Sequence, residues 1–262
     1  MPSYLSYSQL SLYLECPLQY KLRYIDGLTG DRTPAALIFG RSIHQVLAYF
    51  YTGVMEGRPF SLAAFLNEFV TTWTEAVEEQ EIVYGKNENF NSLLVLGQEM
   101  LKVFAREVLP QRVIAIEVPF EFRLEHPETR EETSMPLRGI IDLIEEDEQG
   151  TLWVVDHKTS SRSYADQQIA GDLQMLIYAA AVKQVDEAEG REVMLRLDVL
   201  MKTKAPKFIQ YPLQRVDDDI VRLFEIVEGI YTAIEAEAFY PRCCIYCRWG
   251  SPHEECVKHE EI

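Results

Sequence analysis

Positive charge and long hydrophobic runs are both scarce in this sequence. Its 262 residues include 25 Lys and Arg but 42 Asp and Glu, which gives a formal net charge of −17. A charge of this sign repels polyanions, so it argues against binding nucleic acid or anionic lipid through an overall positive field. The most apolar window, at 175–182, is far shorter than the ~20 residues that a membrane-spanning helix needs. We therefore expect no membrane partner.

Cysteine is also scarce, with five residues, and residues 1–10 lack the basic start and apolar core of a secretion signal. These absences favour a cytoplasmic protein, in which cysteines stay reduced unless they bind metal or act in catalysis. Hydrophobic residues make up 47% of the chain and charged residues 26%, which excludes a disordered chain or a fibrous repeat.

The chain also has no internal repeat and no low-complexity linker, so we expect a single domain over residues 1–262. Helical spacing of apolar residues dominates residues 1–110, where Ser6 caps a first helix that Pro17 bounds. Short apolar strands follow, with one helix between them and a final amphipathic helix. The strands are expected at 112–123, 137–145, 151–158, 192–201 and 208–213, and the helices at 36–51, 62–73, 93–108, 166–184 and 218–238.

Acidic residues interrupt two neighbouring strands of this pattern. Asp142 alternates with Ile140 and Ile144, and Asp156 shares a strand face with Lys158. A buried carboxylate is costly unless it is paired or bound to metal, and carboxylate oxygens are the ligands that Mg²⁺ and Mn²⁺ prefer. The pattern predicts a divalent metal site with a lysine that orients or deprotonates a water, or stabilises developing negative charge.

Four segments in this order resemble the PD-(D/E)XK nuclease superfamily. They are GIID at 139–142, DHK at 156–158, QMLIY at 174–178, and upstream GRSIH at 40–44. The resemblance is strongest to the RecB-like exonuclease branch, which includes the AddB nuclease domain and the CRISPR adaptation nucleases. It implies an α/β, restriction-endonuclease-like fold: a mixed central β-sheet flanked by helices, with an N-terminal helical region, a nuclease core at 111–238 and a Cys-rich clasp at 239–262.

The resemblance also implies roles for individual residues. Lys158 would be the catalytic lysine, and Gln174 and Tyr178, four residues apart on one helix face, would line the DNA side of the site. Glu117 is interpreted as structural or solvent-facing rather than as an accessory acid. The residues implied to bind Mg²⁺ or Mn²⁺ are His44, Asp142, Asp156 and, through its backbone carbonyl, His157.

Each of these residues also has an ordinary structural explanation. A helical histidine such as His44 usually lies at the edge of a core, and Asp156 with Lys158 could form a strand-end salt bridge. Asp142 could pair with Arg138. The metal-site interpretation is favoured because chance would have to place all of these residues in family order.

The cysteines form a second constellation, with four of them between 243 and 256. A C-x₂-C pair followed by a third cysteine is typical of a metal site in a cytosolic protein. The resemblance implies a [4Fe–4S] cluster that ties the chain ends together. Its ligands would be Cys16, Cys244, Cys247 and Cys256, with Cys243 spare or replacing Cys244. The alternatives are Zn²⁺ on Cys244, Cys247, Cys256 and His259, or free thiols.

The implied function is that of a metal-dependent deoxyribonuclease, cutting single-stranded DNA or DNA ends exonucleolytically in repair, recombination or CRISPR-type processing. A helicase or a CRISPR integrase is a possible partner. Two alternatives are a catalytically silent DNA-binding or scaffold subunit of a helicase–nuclease complex and an acidic metalloprotein interaction module.

Two stretches without acidic residues are candidates for contacts with nucleic acid through charge and stacking, at 19–24 and 201–208. Ordinary packing of the tyrosines and solvation of the charges is the competing interpretation. In the first stretch, the predicted contacts are Tyr20, Lys21, Arg23 and Tyr24.

Overall fold

A mixed five-stranded sheet forms the centre of the molecule. The computed structural model describes residues 2–28, 32–165, 169, 171–184, 188, 190–213 and 217–242. The strands are β1 (Arg32–Pro34), β2 (Glu81–Val83), β3 (Arg112–Phe122), β4 (Leu137–Glu146), β5 (Leu152–Ser160), β6 (Val193–Met201) and β7 (Phe208–Leu213). The central sheet has the order β3-β4-β5-β6-β7, in which only β5 and β6 run parallel, and β1 pairs with β2 in a separate parallel ladder.

Four of the helices begin where a side chain caps a backbone N–H group of the first turn. Ser6, Ser61, Asn89 and Asp172 each accept a hydrogen bond from a backbone N–H three residues on. Pro17 lies at the first position of the second helix, where its missing N–H costs nothing. The helices are α1 (Tyr7–Glu15), α2 (Pro17–Tyr20), a π-helical turn (Lys21–Ile25), α3 (Ala35–Met55), α4 (Leu62–Glu78), α5 (Phe90–Glu107), α6 (Leu173–Ala181) with a 3₁₀ turn (Val182–Gln184), and α7 (Asp217–Glu235).

Helices cover both faces of the central sheet. On one face, α3, α4 and α5 pack an aromatic cluster against Leu143 and Val155. On the other face, α1, α6 and α7 pack against Val154 and Leu197. The N-terminal helices therefore share their core with the sheet. Within the described ranges, no helix combines the length and the apolar character that crossing a membrane requires.

The pair β3–β4 changes face in its middle. Residues two apart on a strand normally share a face, but Ile141 packs into one cluster and Leu143 into the other. Between the pairs Ile116↔Leu143 and Val118↔Ile141 lies Glu117, whose φ of 50° is left-handed. This conformation costs a non-glycine residue about 1–2 kcal/mol. The change of face occurs opposite Asp142, and the exposed Glu117 fits the structural interpretation.

The predicted mixed α/β fold is confirmed, including the hairpin between β4 and β5 and the helix inserted between β5 and β6. The prediction of one continuous helix at 166–184 is wrong. Asp172 has an extended ψ of 110° and caps a helix that begins at Leu173. The predicted Cys-rich clasp falls largely on residues 243–262, which lie outside the described residues.

Gly97 on α5 allows close packing of α4 against α5. A methyl group at this position would overlap the ring of Phe69, whereas a methyl group at Gly229 on α7 would meet no atom. We expect Gly97→Ala to lower the free energy of unfolding by about 1–3 kcal/mol through overpacking. The matched change Gly229→Ala should raise it by up to about 1 kcal/mol, because alanine favours the helix. Urea denaturation of both variants tests this, and equal stabilities would contradict the packing.

Candidate active site

The candidate site lies where β4 separates from β5. The ladder between these strands runs from Glu146↔Leu152 to Leu143↔Val155 and ends there, while β4 stays paired with β3 as far as Leu137. The next pair in the same register would be Asp142 and Asp156. The two acids therefore lie at the opening between the diverging strands. Asp156 precedes Lys158 by two residues on β5.

The carboxylate of Asp142 takes the place of the backbone hydrogen bonds that β4 no longer makes to β5. Its Oδ2 accepts a hydrogen bond of 2.9 Å from the backbone N–H of His157 and lies 3.3 Å from Nδ1 of His44 on α3. Burial opposes its ionisation, but hydrogen bonds from His157 and His44 hold the pKa of Asp142 well below its usual range. The charge of Asp142 in turn outweighs the effect of burial on His44 and raises the pKa of that imidazole. Asp142 is therefore a fixed anion.

Asp156 is fully buried, with no solvent-accessible surface. Its Oδ2 lies 2.8 Å from Nζ of Lys158, while Oδ1 has no hydrogen-bond donor among the described residues. Burial raises the pKa of Asp156 to about 6; Lys158 opposes this shift and the neighbouring charge of Asp142 adds to it. A buried carboxylate oxygen without a donor is costly unless a cation binds it.

The ammonium group of Lys158 contacts three side chains. It donates to Oε1 of Gln174 on α6, pairs with Asp156, and lies 5.7 Å from the ring centre of Tyr7 on α1. Although burial favours the neutral amine, the charge of Asp156 dominates and raises the pKa of Lys158. The lysine is therefore protonated and positioned.

Gln174 and Tyr178 connect Lys158 to the free part of β4. Nε2 of Gln174 donates to the Tyr178 hydroxyl at 2.9 Å, and that hydroxyl donates to the backbone carbonyl of Ile140 at 2.6 Å. Ile140 lies beyond the end of the β4–β5 ladder, so Tyr178 replaces a strand partner. The predicted helix face thus contacts the site, and the tyrosine sets the position of the amide.

The side chain of His157 lies on the opposite face of β5 from Asp156. It is buried beside Tyr51, with a ring-centre distance of 5.6 Å, and its Nδ1 lies 3.7 Å from Oδ2 of Asp142. Because this side chain points away from Asp156, the role implied for His157 concerns its backbone carbonyl alone.

The donor set fits a hard divalent cation that keeps several waters. Mg²⁺ is usually bound through one or two carboxylates, and Asp142 with Asp156 supplies two on adjacent strands. Of the implied ligands, His44 contacts Asp142, and Asp142 and Asp156 occupy neighbouring strand positions. Among the described residues, however, no three His, Cys, Asp or Glu side chains form a complete ligand group. The orphaned Oδ1 of Asp156 is the observation that favours a cation here.

The predicted nucleic-acid contacts all have partners within the protein. Tyr20 is fully buried and packs against Tyr13 and Phe239, so a stacking contact of Tyr20 with a base is incompatible with this structure. Burial raises the pKa of Tyr20 to about 12. Lys21 pairs with Asp26 at 2.8 Å. Arg23 lies over the half-buried ring of Tyr24.

Cys16 is a buried free thiol at the start of α2. Its Sγ accepts a hydrogen bond of 3.5 Å from the backbone N–H of Arg242, and the N–H of Leu18 donates to the carbonyl of Tyr240 at 3.2 Å. The last described residues therefore run beside Cys16. The other predicted ligands lie outside the described residues: Cys244, Cys247 and Cys256, and also Cys243 and His259 of the alternatives.

Tyr7 is a residue of the site that the sequence analysis missed. It lies in the first turn of α1 and places its ring next to Lys158, and burial raises the pKa of its hydroxyl. Nothing in the local pattern distinguishes it from the other tyrosines of the N-terminal segment.

The model of the PD-(D/E)XK nuclease superfamily matches residues 4–251, and no curated protein matches the chain. The fold is similar to a crystal structure of a “Putative exonuclease” from Eubacterium rectale, with a TM-score of 0.56 and 16% identity, over 99% of this chain and 94% of that chain. A crystal structure of SSO0001 has a TM-score of 0.33 and 13% identity, over 89% of this chain and 90% of that chain.

The family match spans almost the whole chain and includes every motif residue that lies at the candidate site. This chain therefore belongs to the PD-(D/E)XK nuclease superfamily.

Proposed function

We propose that this protein is a divalent-metal-dependent deoxyribonuclease that hydrolyses phosphodiester bonds. The observation that carries the proposal is the meeting of Asp142, Asp156 and Lys158 where β4 and β5 separate. A buried acid with an unpartnered oxygen is costly for stability, and such groups are concentrated at functional sites. Membership in a nuclease superfamily supplies the reaction class.

In this proposal Asp142 and Asp156 hold Mg²⁺ or Mn²⁺, together with His44 and the backbone carbonyl of His157. When bound, the ion supplies a nucleophilic water at neutral pH and neutralises charge on a phosphoryl oxygen. Asp142 is kept ionised by its hydrogen bonds from His157 and His44. The pKa of Asp156, raised to about 6, leaves this acid mostly ionised at neutral pH.

Lys158 stabilises negative charge in this scheme. Because its pKa is raised, it keeps its proton and does not act as a base. Its ammonium group, fixed by Asp156 and Gln174, is positioned to donate a hydrogen bond to the attacking water or to a phosphoryl oxygen. Tyr178 acts through Gln174 and is a positioning residue.

The substrate we propose is single-stranded DNA or a DNA end, cut exonucleolytically in the repair, recombination or CRISPR-type processing of DNA. The similarity in fold to a “Putative exonuclease” is consistent with this choice. A helicase or CRISPR integrase partner would supply DNA affinity that a chain of net charge −17 lacks overall.

We further propose a structural metal centre at the chain ends, a [4Fe–4S] cluster with Zn²⁺ as the alternative. The backbone of Arg242 contacts the thiol of Cys16, so the next residue in sequence, Cys243, follows directly from this contact. A buried thiol beside the start of a Cys-rich segment suits thiolate ligation.

Substitutions at the site test the nuclease. We expect Asp156→Asn and Lys158→Met each to lower the rate of Mg²⁺- or Mn²⁺-dependent digestion of labelled DNA by roughly 100- to 1,000-fold, since each removes charge aimed at the reaction. Glu99→Gln, an exposed acid on α5, is the control and should retain full activity. Digestion that survives both substitutions would discredit the site, and a wild type without activity would favour the silent subunit.

The hydroxyl of Tyr178 should matter for both stability and rate. Tyr178→Phe removes the hydrogen bond to the Ile140 carbonyl, which lowers the free energy of unfolding by about 0.5–1.5 kcal/mol. We also expect kcat to fall about tenfold, or about 1.4 kcal/mol in barrier, because Gln174 loses its anchor. Tyr231→Phe removes an exposed hydroxyl bonded to Glu235 and serves as the control. Equal kcat values for the two variants would remove Tyr178 as a positioning residue.

Metal content tests the proposed centre at the chain ends. Wild-type protein should be brown and contain iron, and Cys16→Ser should be colourless and less stable to heat, because a cluster joining the chain ends closes a long loop. Cys243→Ser distinguishes the two ligand sets: retained iron and colour leave Cys243 spare, and loss of both makes Cys243 the ligand in place of Cys244. Colourless wild-type protein with one zinc would replace the cluster by the zinc site. Wild-type protein without either metal would end both proposals.

A further inference from the structure

Many positively charged side chains of the described residues are neutralised within the molecule. Arg196 pairs with Glu145 and Asp198, for example, and Lys202 with Glu88. Some exposed cations differ, because in the part of the chain that the structure describes their side chains form no ion pair, hydrogen bond or ring contact. These are Arg41, Lys86, Arg162, Lys183, Lys204 and Lys207.

All of these cations except Lys183 lie on segments that come together around Lys202. We call this place the junction. The backbone N–H of Lys202 donates to the carbonyl of Ser160 at 2.7 Å, which joins the β6–β7 turn to the end of β5. Its Nζ lies 2.9 Å from Oε1 of Glu88, which joins the same turn to the loop before α5. Lys86 lies two residues from Glu88 in that loop.

The β6–β7 turn is closed by its own hydrogen bonds. Met201 donates its N–H to the carbonyl of Lys207 at 2.8 Å, and the hydroxyl of Thr203 donates to the carbonyl of Ala205 at 2.7 Å. Lys204 and Lys207 are therefore presented on an ordered turn. No Asp or Glu occurs between Asp198 and Asp217 in the sequence, so the turn is uniformly basic.

The other free cations lie on segments next to this turn. The backbone N–H of Arg162 donates to the hydroxyl of Ser160 at 3.2 Å, directly after β5. Arg41 follows Gly40 on α3, where an added methyl group would lie 3.5 Å from Oγ1 of Thr159. Both arginines therefore border the end of β5.

This junction is at the same edge of the sheet as the candidate site. β5 and β6 are parallel, and Ser160 pairs with Met201 at their carboxyl ends, two residues beyond Lys158. Ligands of open α/β sheets bind outside the carboxyl ends of the strands. Lys183, by contrast, follows α6, on the connection that returns to the start of β6.

We propose that Arg41, Lys86, Arg162, Lys204 and Lys207 form a binding site for the DNA strand that leads into the active site. This edge patch, as we name the five residues, binds phosphates of that strand other than the one that reacts. The inference rests on the proposed function and adds the path of the substrate. A local positive field is needed here, because the protein as a whole carries −17 and repels DNA. Free cations suit this role because pairing with phosphates releases counterions from the DNA.

Salt dependence of binding tests the edge patch. The full-length variant combining Lys86→Gln, Lys204→Gln and Lys207→Gln is titrated against a fluorescein-labelled single-stranded DNA by anisotropy, without added divalent metal. Loss of three phosphate contacts should reduce the slope of log K against log salt by about 2, and weaken binding roughly 10- to 100-fold at 0.1 M salt. In the cleavage assay the loss should appear in KM rather than in kcat.

A charge-matched control separates the effect of losing the edge patch from the effect of the changed net charge. Combining Lys102→Gln, Lys183→Gln and Arg222→Gln changes the net charge equally, at a residue of α5, a residue of the 3₁₀ turn after α6 and a residue of α7. This variant should keep the wild-type slope. Both variants should unfold at the wild-type temperature, since exposed cations contribute little to stability.

The outcomes separate the edge patch from the nuclease proposal. Metal-dependent cleavage with an unchanged slope in the edge-patch variant overturns the patch and leaves the nuclease standing. A reduced slope without any cleavage by wild type supports the patch and contradicts the nuclease. Equal losses in both variants, no DNA binding by wild type at low salt, or tighter binding of RNA of the same sequence overturns the patch.

Discussion

The burial of the Asp156 carboxylate is the constraint on which the arrangement of the site depends. This acid has no solvent-accessible surface, and a buried charge costs several kcal/mol unless other charges and hydrogen bonds compensate it. Lys158 compensates one oxygen, and burial still raises the pKa of Asp156 to about 6. The second oxygen has no hydrogen-bond donor among the described residues, and we propose that it binds the metal ion. A stable fold has no need of this arrangement, whereas a metal site depends on it.

β4 separates from β5 at the place where we propose the metal site, and the side chains there compensate for the lost backbone hydrogen bonds. Asp142 accepts the N–H of His157, and Tyr178 donates to the carbonyl of Ile140. The same contacts orient the acid and, through Gln174, the ammonium group of Lys158. The groups that keep the divergent strands stable are therefore also those that position the side chains of the proposed active site. The left-handed Glu117 lies at this point of the sheet, where β3 and β4 change face.

The distribution of positive charge limits the places where a polyanion could bind this protein. A protein of net charge −17 meets a polyanion only where its positive residues are not already paired. Ion pairs occupy many of its cations, such as Arg112 on β3 and Arg191 just before β6, which share Glu146. The free cations of the β6–β7 turn and its neighbours lie instead on segments that border the carboxyl end of β5, where we propose that they bind the DNA strand.

The sequence by itself determined the order of helices and strands and the alternation that puts Asp156 and Lys158 on one strand face. Those features depend on residues close together in the chain, through strand alternation, helical spacing and caps such as Ser6. Only the tertiary structure decided that Tyr20 is buried, that Tyr7 lies beside Lys158, and that the loop of Lys86 meets the β6–β7 turn. Such contacts join segments dozens of residues apart. These contacts form because the whole core packs against the sheet, so no local pattern of side chains predicts them.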